Sequence, residues 1–454
     1  MLYTYYIIGN SIYINLTAIF IGSLLFLITH FVLYDARKHN NQLLEVLAMV
    51  MILHFQLRII TLNLIEEGEF MLGRVDLTPE KFDYVLVVVF LLYLAFWISL
   101  RFKEGPSQVF LKYDVKNHAT RNILILLYTS LVLSIMSSLG VPGIEQIVKV
   151  SSTFFFNIIY MIMLSIGYFL YRWKEEKGIY KISFILFLII YVLIYTLLGR
   201  KSTIYTMAIA TLFCMLVFNK VYVKLKYLVL AALFMPVMVF MFTFSQFARS
   251  WGISMETMTL SEQVEIAQTV AERMSGQETI NTLQPIFGRI GFMDFTTELV
   301  VNREHLKHYL TPVNYGKSLI DNLLSPGFDV FDMPRMSCVV SPCYEYKGTP
   351  SVSKYDLVNH YYSAGLSLYG ESYLLLGKFL SIPFVFLLGL FIKKRYLHYC
   401  EKNSIPNMWM RIIILYMLYE LLYSFGFDWV LIDLVALLIN YYIFKKLTVK
   451  IVRQ

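Results

Sequence analysis

Apolar runs of about twenty residues recur along this 454-residue chain and enclose one long polar interruption, residues 245–370. A helix of about 20 apolar residues spans the roughly 30 Å hydrocarbon core of a bilayer. Ile12–Tyr34 and Ile182–Leu198 are clear cases. The polar interruption cannot cross that core as irregular chain, because its backbone N–H and C=O groups would find no partners in hydrocarbon. The expected fold is therefore all-α: a polytopic membrane protein with about 11 transmembrane helices and one large extracytoplasmic loop containing short helices.

Composition agrees. Hydrophobic residues make up 58% of the chain, against about 45–50% in a soluble domain. The net charge of +8 could suggest a nucleic-acid partner. Its distribution argues otherwise, since Lys and Arg sit in short segments beside the apolar runs, as membrane orientation requires. The first Lys or Arg is Arg37. No charged region precedes the first apolar stretch, so Ile12–Tyr34 reads as a retained span rather than a cleaved leader.

The spans expected are 12–34, 44–65, 83–100, 122–141, 152–171, 182–198, 203–218, 227–244, 373–392, 408–425 and 429–444. They divide the chain into eight spans over 1–244, the loop over 245–370 and three spans over 371–454. Alternate connections carry the positive charge: Arg37 and Lys38, Arg101 to Arg121, Arg172 to Lys181, Lys220 to Lys226, Lys393 to Lys402, and the tail from Lys445. These hold about 22 basic residues, and the short connections between them hold about five, a bias that fixes orientation. The amino terminus is then outside, the carboxyl terminus inside and the long loop outside. Within the loop, Thr259 and Glu262 have capping-box spacing ahead of a helix that Gly276 would stop. Further helices are expected over 292–309 and 315–324, before Pro326.

No zinc spacing and no phosphate-cradling glycine loop is present. His305 and His308, among charged neighbours, read as a solvated helix face. Cys338 and Cys343 are close enough in sequence for either a disulfide or two unrelated thiols. The arginines say more. Arg58 lies inside the second span after His54 and Gln56, where an ionisable group is costly and needs a partner such as Glu420 or Asp433, or a ligand. Arg200, in the turn Gly199-Arg200-Lys201-Ser202, is a basic residue on the side that the charge bias leaves poor in cations. Arg249, Arg289 and Arg335 add cations near the loop, and guanidinium forks match phosphate oxygens in a bidentate way. Glu371, at the mouth of the ninth span, and His360 are candidates to accept a proton from a hydroxyl. Glu371 reads equally well as the anchor of a helix end.

The Gly-Arg-Lys-Ser turn, the large loop before three final spans, the Gly-Arg-Ile-Gly-Phe stretch at 288–292 and the run Gly365-Leu-Ser-Leu-Tyr-Gly-Glu-Ser-Tyr-Leu-Leu-Leu-Gly-Lys-Phe379 together resemble Wzy-type O-antigen or oligosaccharide repeat-unit polymerases, including the enterobacterial common antigen polymerases. The resemblance implies an inner-membrane glycosyltransferase. It would join undecaprenyl-pyrophosphate-linked repeat units on the outer face, with a lipid-linked donor and acceptor, a chain-length regulator and a flippase as partners, no cofactor and no metal. Preorganised cations stabilise a pyrophosphate leaving group best where water is scarce. In this reading Arg200, Arg249 and Arg289, then Arg335 and Arg58, hold the pyrophosphate, and Glu371 or His360 is the base. O-antigen ligases and transporters or flippases of lipid-linked sugars are the alternatives.

Overall fold

The computed structural model describes residues 16–56, 79–103, 113–139, 145–197, 201–218, 293–308, 311–324, 366–401, 404–423 and 426–451, with 265, 268, 269, 272, 330, 331 and 333 individually. Eight described helices are long and apolar enough to cross a membrane. In chain order the helices are α1 (Leu16–His39), α2 (Gln42–Val50), α3 (Pro79–Leu100), α4 (Ala119–Leu139), α5 (Glu145–Val150), α6 (Ile158–Arg172), α7 (Gly178–Leu197) and α8 (Lys201–Val217). The polar segment contributes α9 (Met293–Val301), α10 (Arg303–Leu306) and α11 (Pro312–Leu324), and the bundle closes with α12 (Leu368–Cys400), α13 (Ile405–Tyr423) and α14 (Phe427–Thr448).

The protein is therefore helical and membrane-spanning. The expected span 227–244 lies outside the described residues, as do Cys338 and Cys343. The expected helix over 292–309 is divided at Asn302, whose backbone leaves the helical region, into α9 and α10. The third loop helix ends at Leu324, ahead of Pro326, because a proline disfavours helical backbone at the residue before it. Glu265, Gln268, Thr269 and Glu272, from the first expected loop helix, are helical. Two three-residue strands were not foreseen: β1 (Tyr113–Val115) pairs antiparallel with β2 (Val449–Ile451), tying a connection to the end of α14.

Two ends of the bundle can be distinguished by what meets there. At one end Asn41 Nδ2 donates to Leu100 O at 3.0 Å, Tyr396 Oη donates to Gln42 Oε1 at 2.8 Å, and Arg101 pairs with Asp35 at 2.8 Å. The same end carries the β1–β2 pair, Lys116 N on Thr448 O and Thr120 against Tyr168. This is where Arg37, Lys38, Arg101, Lys116, Lys393, Lys445 and Lys446 collect, as the alternating charge required. At the opposite end Tyr84 meets Tyr373, the His54 ring lies tilted against Tyr423, and α9 and α11 pack on the starts of α12 and α14.

Tight contacts draw the helices together. α12 packs most extensively on α3, and a Cβ on Gly389 would overlap Ser99 Oγ. Small residues allow this approach, which matters in lipid because van der Waals packing, not water exclusion, holds membrane helices together. Trp409 of α13 is fully buried and donates Nε1–H to Leu164 O at 3.1 Å, so its indole nitrogen is satisfied within the core.

Candidate functional site

The polar groups of the loop-bearing end converge where α12 and α14 begin. Gly426 precedes α14 with φ 132° and ψ 161°, a backbone open essentially to glycine. A Cβ there would also stand 2.7 Å from Asp428 Oδ1 and 3.5 Å from Glu371 Oε1. The turn frees the first N–H groups of α14, which have no partner within the helix. Glu371, in the first turn of α12 and 2% exposed, supplies one: both its carboxylate oxygens accept from Phe427 N at 3.0 Å. A carboxylate on a helix N-terminus is further favoured by the helix dipole. Next along α14, the buried Asp428 accepts from Ser318 Oγ of α11 at 2.8 Å.

Tyr315, one turn before Ser318, is buried against Leu299, Leu306, Leu366 and Leu374. Its hydroxyl faces Glu371, close enough to feel the carboxyl but beyond strict hydrogen-bond geometry. Burial pushes the Tyr315 phenol well above its usual range, and Glu371 and then Asp428 push it further, because an anion beside two carboxylates in apolar surroundings is disfavoured. The centre is thus two buried carboxyl groups, a phenol and a serine, assembled from one loop helix and two membrane helices.

The start of α12 is fixed from its other side as well. Ser367 caps the helix by accepting from Gly370 N at 3.2 Å and shares a 2.8 Å hydrogen bond with Thr296 of α9. Gly370 sits so close to α9 that a Cβ would lie 2.7 Å from Leu299 Cδ1. The helical run breaks at Gly377, with φ 72° and ψ −173°, leaving a short segment Leu368–Leu376 ahead of the longer apolar one. The break frees backbone carbonyls, and Arg303 of α10 takes two of them: Nε donates to Tyr373 O and to Leu374 O, each at 3.2 Å. Its guanidinium also lies 5.9 Å from the centre of the Tyr373 ring. A cation at a helix C-terminus is the favourable sign for the dipole.

Asp321 organises the chain after α11. It is fully buried, and its oxygens accept from the backbone N–H of Val330 at 2.9 Å, Phe331 at 3.0 Å and Met333 at 2.8 Å.

Of the residues the sequence put forward, Glu371 stands at this centre, in the anchoring position that was one of its two expected parts. Arg58, Arg200, Arg249, Arg289, Arg335 and His360 lie outside the described residues. Glu420 and Asp433 lie against Tyr416 and Tyr160 respectively, inside the bundle. His308 is exposed, as a solvated face requires. No group of three or more metal-binding side chains occurs among the described residues. Sequence reading missed Arg303, Asp428, Ser318 and Asp321. Asp428 followed a glycine at a helix start, which was a usable signal; the partners of the others are 9 to 110 residues away.

No model of a known protein family, no curated protein and no solved structure matches this chain.

Proposed function

We propose that the chain is a membrane glycosyltransferase that joins undecaprenyl-pyrophosphate-linked oligosaccharide repeat units, a polymerase of the O-antigen or capsule type. The observation that carries this reading is the convergence at one bundle end. There α9, α10 and α11 of the polar segment lock onto the starts of α12 and α14 through Thr296, Arg303 and Ser318, at the end away from the clustered basic residues. A polar segment clamped to the membrane helices in this way suits transfer chemistry at the bilayer surface, because reacting groups must be held in fixed relation.

In this reading eleven spans, counting 227–244, set the amino terminus outside and the carboxyl terminus in the cytoplasm, and the loop faces outward. Arg200, Arg249, Arg289, Arg335 and Arg58 hold the pyrophosphate. His360 or Glu371 accepts the proton of the attacking sugar hydroxyl; Glu371 does so once its contact with Phe427 N opens. The acceptor, like the donor, is a lipid-linked glycan, and a chain-length regulator and flippase act beside it.

The deciding experiment is incubation of purified, full-length protein with a lipid-linked repeat unit. A ladder of products supports the reading; unextended substrate under conditions where the protein stays folded overturns it. The buried contacts of Glu420 with Tyr416 and Asp433 with Tyr160 favour a second reading, transport of lipid-linked sugars, because ionisable groups in spans commonly mark pathways. Gene deletion separates the readings: loss of a polymerase leaves single repeat units on the lipid A core, loss of a ligase leaves lipid-linked polymer, and loss of a flippase leaves none displayed.

A further inference from the structure

A cavity of about 290 Å³ lies between α11 and the membrane helices. Gly316 and Leu319 form its roof, Leu375, Leu376 and Phe384 of α12 one wall, and Leu431 of α14 the other. Its floor is Phe427 and Asp428, beside Tyr315. Both walls belong to candidate membrane spans and continue into apolar surface: Leu387 and Phe391 on α12, Val435 and Leu438 on α14, all exposed. The roof helix is two-faced. Tyr315, Ser318 and Asp321 are buried, whereas Val313 at 65% and Ile320 at 42% exposure look outward. A helix with an apolar outer face at the end of a membrane bundle belongs in the headgroup boundary rather than in water.

We propose that this groove is a lipid site, filled by one acyl chain of a bilayer phospholipid that enters sideways from the leaflet on the α11 side. Continuity with the hydrocarbon-facing sides of α12 and α14 supplies the chain. The floor decides which end enters. None of the described lining residues is basic, and Asp428 and the adjacent Glu371 are buried carboxyl groups. A phosphate or pyrophosphate brought there would lose its hydration with no cation among the described lining residues to replace it, which is costly in a low dielectric. The methyl end therefore points inward and the head stays at the rim. Occupancy would brace α11 against α14 and so bear on the Ser318–Asp428 contact. The site does not depend on the glycosyltransferase reading.

The test uses the full chain in vesicles of phosphatidylethanolamine and phosphatidylglycerol that contain phosphatidylethanolamine with a diazirine near one acyl terminus. After irradiation, adducts are mapped by mass spectrometry. Adducts are expected at Leu319 and Leu376, with Phe391 on the open hydrocarbon face as the internal reference. A Cβ on Gly316 meets nothing within 4 Å, so a side chain can start there without a clash, and Gly316→Trp introduces bulk at the groove roof. It should lower the groove adducts about tenfold, equivalent to roughly 1.4 kcal/mol of lost chain binding, with labelling at Phe391 unchanged. If that variant fails to fold, Leu319→Gln serves in its place. Groove adducts absent in the wild type, or equal in wild type and variant, overturn the proposal. So does their displacement by an added long-chain polyprenyl phosphate, which would assign the groove to a carrier lipid instead.

Discussion

Arg303 and Gly377 depend on each other: a side chain on Gly377 would bring its Cβ within 2.9 Å of Arg303 Nη2, and the helix break at Gly377 exposes the carbonyls that Arg303 binds. Neither residue has this role alone. A glycine at φ 72° costs little, whereas alanine there adds strain on the order of 1–3 kcal/mol before any clash. Gly377→Ala should therefore lower the thermal midpoint of the purified protein clearly. Arg303→Ala should do so too, and Arg303→Lys should recover only part, since an ammonium lacks the planar fork. Unfolding followed by tryptophan fluorescence measures all three; an Arg303→Ala midpoint equal to wild type would remove Arg303 from the account.

Glu371 has two separable parts. Replacement by Ala leaves the Phe427 N–H buried without its partner, a cost of about 1–3 kcal/mol. Glu371→Gln keeps an acceptor and should retain most stability, yet it cannot take a proton. The expected pattern is an unstable Glu371→Ala variant and a stable Glu371→Gln variant that does not extend glycans. Normal chain lengths from Glu371→Gln, at normal protein level, would leave Glu371 with the anchoring part only.

Gly426→Ala should be more harmful than either carboxylate change, since it opposes both the backbone conformation and the space beside Asp428 Oδ1. Ser318→Ala is milder, at about 1–3 kcal/mol for a hydrogen bond to a charged acceptor left open. Protease resistance of α11 in membranes ranks the two, and a Ser318→Ala protein more labile than Gly426→Ala would contradict the assignment.

Tyr315 predicts an alkaline signature. Its phenol holds its proton well above the usual value of about 10. A group whose folded value is raised contributes stability that is present in full below the unfolded value and declines as pH rises above it. Tyr315→Phe should thus show a smaller loss of stability than wild type above about pH 10, with the two proteins parallel below it. Parallel curves across the alkaline range would refute this.

Orientation is checked independently by a carboxy-terminal fusion. A reporter active only in the cytoplasm should work, and activity from a reporter confined to the extracytoplasmic side would reverse the proposed topology. Arg289→Ala should abolish chain growth without lowering protein level.

The sequence by itself determined the helical, membrane-spanning class and most of the described span positions, because apolar length is a local property that a bilayer reads directly. It placed helix near 292–309, where the structure has two helices divided at Asn302, and near 315–324, and it singled out Glu371. Tertiary structure alone decided what Glu371 touches, since Phe427 lies 56 residues further on and only the fold brings its N–H within 3.0 Å. The same holds for Arg303 on the α12 break, 70 residues away, and for Ser318 on Asp428, 110 residues away. No periodicity encodes such contacts. The Glu371 and Arg303 contacts arise because helix ends freed by Gly426 and Gly377 expose backbone groups that need partners where water is scarce. The Ser318 contact arises because a buried carboxyl needs a donor, and only packing determines which side chain is near enough to serve.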